Sequence, residues 1–483
     1  MIKFNVFLKQ LIAYFPSQII PALVSFGIII LLTRYLSIDH YGSYVLFVTT
    51  VSLITTLITQ WLIQSIFYYR PKYEAMQTLD EFNYYIDKFI LFVLGLSFGI
   101  VLIISLLWLV APELLPYEII VVIIILIAFQ SVFLINQTLQ QSSMEVNKYS
   151  FHISVSNILK FIFIVITILY FDRNIITMLL LGTTLSIAIF VLPELFNQRR
   201  RKKITQKNSS VPFFKSMLEY GLPMLGWFFA LTIINISDRY MIGWLNSSRE
   251  VGIYSANFAV VTSAFGLLFA PLTKVMHPIF MKESDRDDID TSRIELLMNK
   301  FTNLFIISGF PIIVLVIIYA KDISLLLLGK SYIDGSDIIP IITCGFFIWN
   351  LAMIGHKGLE IKKQTRKMMN FVIIACVLNV VLNYVFIIMF GYKGATWASF
   401  LAFLSYALLV YIDSRKNIKW CFDWKVVTIV SVVGMFNYFI ITMINIEMKL
   451  TILSLIINSS IYILLYLVLI FTAIKLFKIK LSF

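Results

Sequence analysis

Fourteen apolar runs, spread from one end of the 483-residue chain to the other, constrain this sequence more than any motif in it. They lie near 11–33, 43–68, 87–110, 118–139, 149–171, 175–193, 219–245, 251–278, 301–320, 336–355, 368–390, 394–412, 425–444 and 451–473. A helix needs about 20 apolar residues to cross a hydrocarbon core about 30 Å thick. Lipid offers the backbone no hydrogen bonds, so a spanning segment is either a helix or a strand of a closed barrel. Barrel strands alternate apolar and polar residues, and these runs are apolar throughout. The expected fold is all-α: a polytopic membrane protein with 14 transmembrane helices. Composition agrees, with 60% hydrophobic and 13% charged residues and a mean hydropathy of +0.90. Soluble domains carry roughly 25% charged residues, and no stretch here is long and polar enough to form one.

The positive charges set an orientation. With a cytoplasmic N-terminus, both termini and the even-numbered loops hold 29 of the 39 Lys and Arg residues, and the odd-numbered loops hold seven. Cytoplasmic loops carry such an excess, and one helix more or fewer would scramble it. The densest cluster, Arg199–Lys203, reads as a topology anchor near anionic lipid. The net charge of +13 therefore belongs to membrane topology, and nucleic acid is not an expected partner. Two lysines and then an apolar run without a small-residue cleavage site read as an uncleaved first helix. The three cysteines have no metal-ligand spacing and imply no disulfide framework. No metal or cofactor is expected. Walker A and nucleophile-elbow motifs are missing. The odd-numbered loops are too short for external catalytic machinery, so the chain reads as a non-enzyme.

An internal repeat divides the chain. "TRYLSIDHYGSY" ends the first run, with Arg34-Tyr35 and Tyr41-Gly42-Ser43-Tyr44. "SDRYMIGWLNSSREVGIY" ends the seventh, with Arg239-Tyr240 and Val251-Gly252-Ile253-Tyr254. Six helices separate the copies, so both have one orientation, as in parallel-repeat transporters. The expected organisation is an N-lobe (1–193, helices 1–6), a basic cytoplasmic linker (194–218), a C-lobe (219–412, helices 7–12), and helices 13–14 with a basic tail (413–483).

Three cations lie inside apolar runs: Lys160, Arg239 and Lys274. Lys160 is near mid-helix, roughly 15 Å from either end. A charge at the bilayer centre costs about 2.5–3.5 kcal/mol and usually faces an interior cavity. Ser156 and Asn157, four and three residues earlier, share its face, and Ser154 extends the stripe. A water-lined cavity with an anionic lipid headgroup as partner fits this pattern; a lysine bonded to backbone carbonyls or to a distant carboxylate is the structural alternative. Arg239 and Arg34 hold equivalent repeat positions, where a guanidinium fork could take phosphate oxygens or anchor the interface. Adjacent helical residues point about 100° apart, so Asp238 is expected to look away from Arg239. A gate pairing with Arg34, or ion coupling, is then its candidate role. Lys274 and His277 sit near the inner end of the eighth run. Amides recur at Gln60, Gln64, Gln130, Asn136, Asn235, Asn257, Asn379 and Asn383, mostly for helix–helix hydrogen bonds. Pro21 and Pro223 are expected kinks in helices 1 and 7.

Three stretches carry a family resemblance: "LLTRYLSIDHYGSYVLFVTTVSLI" at 31–54, "YGLPMLGWFFALTIINISDRYMIGWLNSSREVGIYS" at 220–255, and "LNVVLNYVFIIMFGYKGATWAS" at 378–399. In the last, Asn379, Asn383, Gly391, Gly394 and Ala395 match the helix 11–12 turn of the polysaccharide transporter family. The chain resembles its Wzx-type flippases of O-antigen and capsule repeat units, within the multidrug, oligosaccharidyl-lipid and polysaccharide exporter superfamily. The resemblance implies two six-helix lobes around a central cationic cavity, plus two C-terminal helices. It implies a bacterial cytoplasmic membrane and an undecaprenyl-diphosphate-linked oligosaccharide turned from inner to outer leaflet by alternating access. Membrane lipids, a glycan polymerase and export machinery are the further partners. It also fits Arg239 to a pattern of cavity cations. The competing assignments are a cation-coupled multidrug exporter, a peptidoglycan-precursor flippase of the same superfamily and, less favoured, a membrane glycan polymerase.

Overall fold

The structure is a computed structural model that describes residues 16–110, 117–171, 173–198, 210–284, 291–416, 418–444 and 451–477. Within them the chain forms fourteen α-helices and no strand. They are α1 (Pro16–Tyr35), α2 (Ile38–Ala75), α3 (Leu79–Val110), α4 (Tyr117–Ser142), α5 (Val146–Tyr170), α6 (Ile175–Gln198), α7 (Ser210–Leu245), α8 (Ser248–Ser284), α9 (Thr291–Ile323), α10 (Ile338–Ile361), α11 (Thr365–Phe390), α12 (Tyr392–Ser414), α13 (Trp424–Ile444) and α14 (Ile452–Leu476). Each apolar run has become one helix. Among the described residues, twelve helices are long and apolar enough to cross a membrane. Several outlast their runs: α2, with 38 residues, is about 57 Å long at 1.5 Å per residue, because helical hydrogen bonding continues where hydropathy falls. Pro21 and Pro223 lie inside α1 and α7. Tyr319 of α9 has non-helical backbone (φ −106°, ψ 15°).

The chain folds as two compact units. The first comprises Met1–Tyr35 and Ser43–Thr232, and the second Leu36–Gly42 and Ile233–Phe483. The boundary thus falls inside α7. Of the linker at 194–218, residues 194–198 end α6, 210–218 begin α7, and the rest lies outside the described residues.

In the first unit, small residues let helices approach. A Cβ on Gly27 of α1 would lie 3.2 Å from the Phe161 ring of α5, and one on Gly182 of α6 would lie 3.0 Å from Phe163 Cβ. The start of α7 docks on α2 and α3. Ser65 donates to the Met217 carbonyl at 2.7 Å, Phe213 stacks on Tyr85 with centroids 4.6 Å apart, and Gly221 leaves room for the Trp61 carbonyl. These contacts explain why residues up to Thr232 belong to this unit.

In the second unit, the two repeat glycines meet. A Cβ on Gly42 would lie 1.9 Å from the Ser248 carbonyl oxygen, and one on Gly252 would lie 2.4 Å from that of Ile38. Each glycine therefore receives the carbonyl four residues before the other, which is the geometry of a two-fold contact between the first turns of α2 and α8. Also in this unit, Trp420 fills the space left by Gly355 and donates from Nε1 to Thr302 Oγ1 at 3.0 Å. The C-terminal pair is tied together by Asn437 donating to the Tyr462 carbonyl at 3.0 Å. It is tied to α9 by Tyr466 donating to the Ile307 carbonyl at 3.0 Å.

Candidate functional site

The candidate residues divide between the units, and each group is built locally. On α5, Ile158, Ile162, Ile166 and Leu169 are 40–65% exposed. They form the apolar face that lipid would cover. Lys160 lies two residues from both Ile158 and Ile162, so at about 100° per residue it points to the opposite side of the helix. There it is half-buried, between buried Ser156 and buried Ile164, with buried Thr167 one turn beyond. Its ammonium has no carboxylate partner among the described residues. Ser156 and Asn157 both donate to the Ile153 carbonyl, at 3.0 and 2.9 Å, so these side chains fold back on their own helix. Ser154 Oγ is buried without a hydrogen-bond partner among the described residues. Lys160 and Ser156 are turned away from the exposed apolar face, whereas Ser154, four residues before Ile158, lies on the flank of that face and is nonetheless buried.

In the second unit, Asp238 of α7 is fully buried. Its Oδ2 accepts a hydrogen bond from the Tyr254 hydroxyl of α8, and its Oδ1 accepts from the Arg239 backbone N–H at 2.8 Å. Contrary to the expectation from helical direction, Asp238 and Arg239 touch, with Nη1 3.4 Å from Oδ1. The 100° separation applies to the Cα–Cβ bonds; the long arginine side chain curls back along the helix, donating from Nη1 to the Asn235 carbonyl. Its guanidinium carbon lies 4.7 Å above the centre of the Phe258 ring, a cation–π contact. Ser399 bonds Tyr254 and accepts from Asn379 at 3.3 Å. Asn379 in turn accepts from Ser237 at 2.7 Å and Asn383 at 3.1 Å. A continuous polar chain therefore backs the arginine through four helices, α7, α8, α11 and α12.

Arg34 is exposed in the last turn of α1, where a cation complements the helix dipole. Lys274 lies in α8, but its side chain and that of His277 fall outside the described residues. Tyr254 and Phe258 were not singled out as site residues by sequence reasoning. The signal for Tyr254 was the repeat: its counterpart Tyr44 is likewise buried and bonds Thr183. No comparable signal marks Phe258, one of 42 phenylalanines.

The family model described as "Polysaccharide biosynthesis protein" matches residues 7–283. No curated protein sequence matches the chain. Among solved structures, the lipid II flippase MurJ in an inward closed conformation aligns with a TM-score of 0.76 at 16% identity, covering 97% of this chain and 99% of that one. An inward-facing multidrug resistance MATE family transporter of the MOP superfamily aligns with a TM-score of 0.62 at 11% identity, covering 82% and 93%. A MOP superfamily transporter from Pyrococcus furiosus aligns with a TM-score of 0.52 at 13% identity, covering 85% and 94%. At these identities the structures establish the shared fold, whereas the family match spans more than half of the sequence. The chain belongs to the polysaccharide biosynthesis protein family.

Proposed function

We propose that this protein is a flippase that turns an undecaprenyl-diphosphate-linked oligosaccharide from the inner to the outer leaflet of a bacterial cytoplasmic membrane, with both termini cytoplasmic. A diphosphate bearing sugars cannot cross hydrocarbon unaided, because removing its charge from water is prohibitive without compensating groups. Alternating access around a cationic cavity supplies that compensation while the prenyl tail stays in lipid. The observation that carries this reading is Lys160: a cation on the side of α5 opposite the exposed apolar face, without a carboxylate partner among the described residues. Arg239, Arg34 and Lys274 are proposed as further cavity cations, and Pro21 and Pro223 as flexing points. A glycan polymerase and export machinery would receive the product.

Flipping of defined lipid-linked sugars in proteoliposomes tests the reading. Lys160→Ala should lower the rate at least tenfold with protein levels unchanged, about the size expected for a lost charged hydrogen bond, and Lys160→Arg should retain much of it. Wild-type flipping by well-folded Lys160→Ala would remove the case. A second reading, a peptidoglycan-precursor flippase, draws support from the MurJ-like fold extending over the C-terminal helices. Presenting both classes of lipid-linked glycan in one assay separates the two.

A further inference from the structure

Positions 33–34 and 238–239 are equivalent in the repeat, and they differ in the residue before the arginine. Thr33 is buried and bonds the Ile29 carbonyl of its own helix at 2.9 Å. Such a local bond satisfies a hydroxyl with no help from other helices. Asp238 is instead a fully buried carboxylate held by three groups. Burying a carboxylate is unfavourable unless it is paired and hydrogen-bonded. Since threonine serves the fold at the first copy, the acid at the second calls for another reason.

Its neighbour supplies one. The Arg239 guanidinium is fixed on three sides: its face by Phe258, and Nη1 by the Asn235 carbonyl and Asp238. Its remaining donors, Nε and Nη2, make no hydrogen bond among the described residues. Those two N–H groups form one edge of the guanidinium fork, which phosphate oxygens accept in pairs. The edge is thus pre-oriented while its charge is offset by a carboxylate 3.4 Å away. Lys160 has the opposite character, with no carboxylate partner among the described residues.

Resting on the flippase reading, we propose that Asp238 is a built-in counter-charge and positioning residue. It presents the Nε–Nη2 edge of Arg239 to a phosphate group while weakening its hold, making Arg239 a release contact and Lys160 a capture contact. Tyr254 serves by fixing the carboxylate, and the Ser399–Asn379–Asn383 chain by fixing Tyr254.

The test uses full-length protein. Binding is measured with farnesyl diphosphate, with farnesol as the phosphate-free control, and transport with a fluorescent polyprenyl-diphosphate-linked disaccharide in proteoliposomes. Asp238→Asn keeps the shape, and Asp238→Thr copies the first repeat in case the amide variant folds poorly. Both should bind the diphosphate about tenfold more tightly, the size of one charged interaction, with maximal transport slowed by a similar factor. A merely structural role would not tighten binding while slowing release. If wild type binds farnesyl diphosphate, Lys160→Ala weakens it, and both Asp238 variants bind like wild type, the counter-charge inference fails and the flippase reading stands. Loss of response to an imposed proton gradient, without tighter binding, would likewise overturn it in favour of ion coupling. Absence of any phosphate-dependent binding by the wild type would overturn both.

Discussion

Gly42→Ala is the sharpest perturbation the fold offers. The added Cβ would lie 1.9 Å from the Ser248 carbonyl oxygen and 2.9 Å from the Gly252 backbone nitrogen, both backbone atoms. Real Cβ atoms essentially never come within 3.0 Å of such neighbours. The first turns of α2 and α8 must therefore separate by more than 1 Å, the shortfall between 1.9 and 3.0 Å. No flexible side chain is available to yield. Overpacking in well-packed sites costs about 1–3 kcal/mol, occasionally more, and a backbone-to-backbone clash belongs at the upper end, about 3 kcal/mol. Gly252→Ala should cost about as much, because its Cβ would meet the Ile38 carbonyl at 2.4 Å. Gly95→Ala and Gly99→Ala in α3 are controls. Among the described residues nothing lies within 4 Å of either Cβ, so alanine should stabilise each by up to about 1 kcal/mol through helix propensity. Thermal unfolding of the purified protein in one detergent ranks the four variants. Equal midpoints for Gly42→Ala and the α3 controls would refute the close glycine contact.

The remaining predictions concern stability and can be read in the same assay. Arg239→Ala leaves Asp238 buried without its cation, which should cost about 3–5 kcal/mol; adding Asp238→Asn should recover most of that loss, and failure to do so would mean the pair is not coupled. Trp420→Ala removes a buried indole and its bond to Thr302, with an expected loss of about 3–5 kcal/mol. Trp420→Phe keeps most of the packing and should cost about 1–2 kcal/mol through the lost hydrogen bond.

Some of the site was legible one residue at a time. Lys160 stood out because a charge deep in an apolar run is costly, and its neighbours at three and four residues identified its face. In the structure Lys160 and Ser156 lie opposite the exposed Ile158 and Ile162. The Asp238–Arg239 contact was not legible, because the angular rule treats side chains as short pointers while arginine is long enough to curl back one turn. Phe258 could not be found either, since a cation–π contact between α7 and α8 leaves no trace in spacing.

What the chain alone determined is local: the fourteen helices of the described residues, because continuous apolar runs in lipid must satisfy their own backbone hydrogen bonds, and the shared side of Ser156 and Lys160 on α5, because 3.6 residues per turn fixes which residues share a side. Tertiary structure decided what those helices meet. It divided the units inside α7 rather than at the basic linker, through the docking of Ser216, Met217 and Gly221 on α2. It set Gly42 against Gly252 across 210 positions of sequence and gave Asp238 to Arg239 and Tyr254. Such pairings depend on where two helix surfaces fit, and hydropathy, which reports only water against lipid, carries no information about that fit.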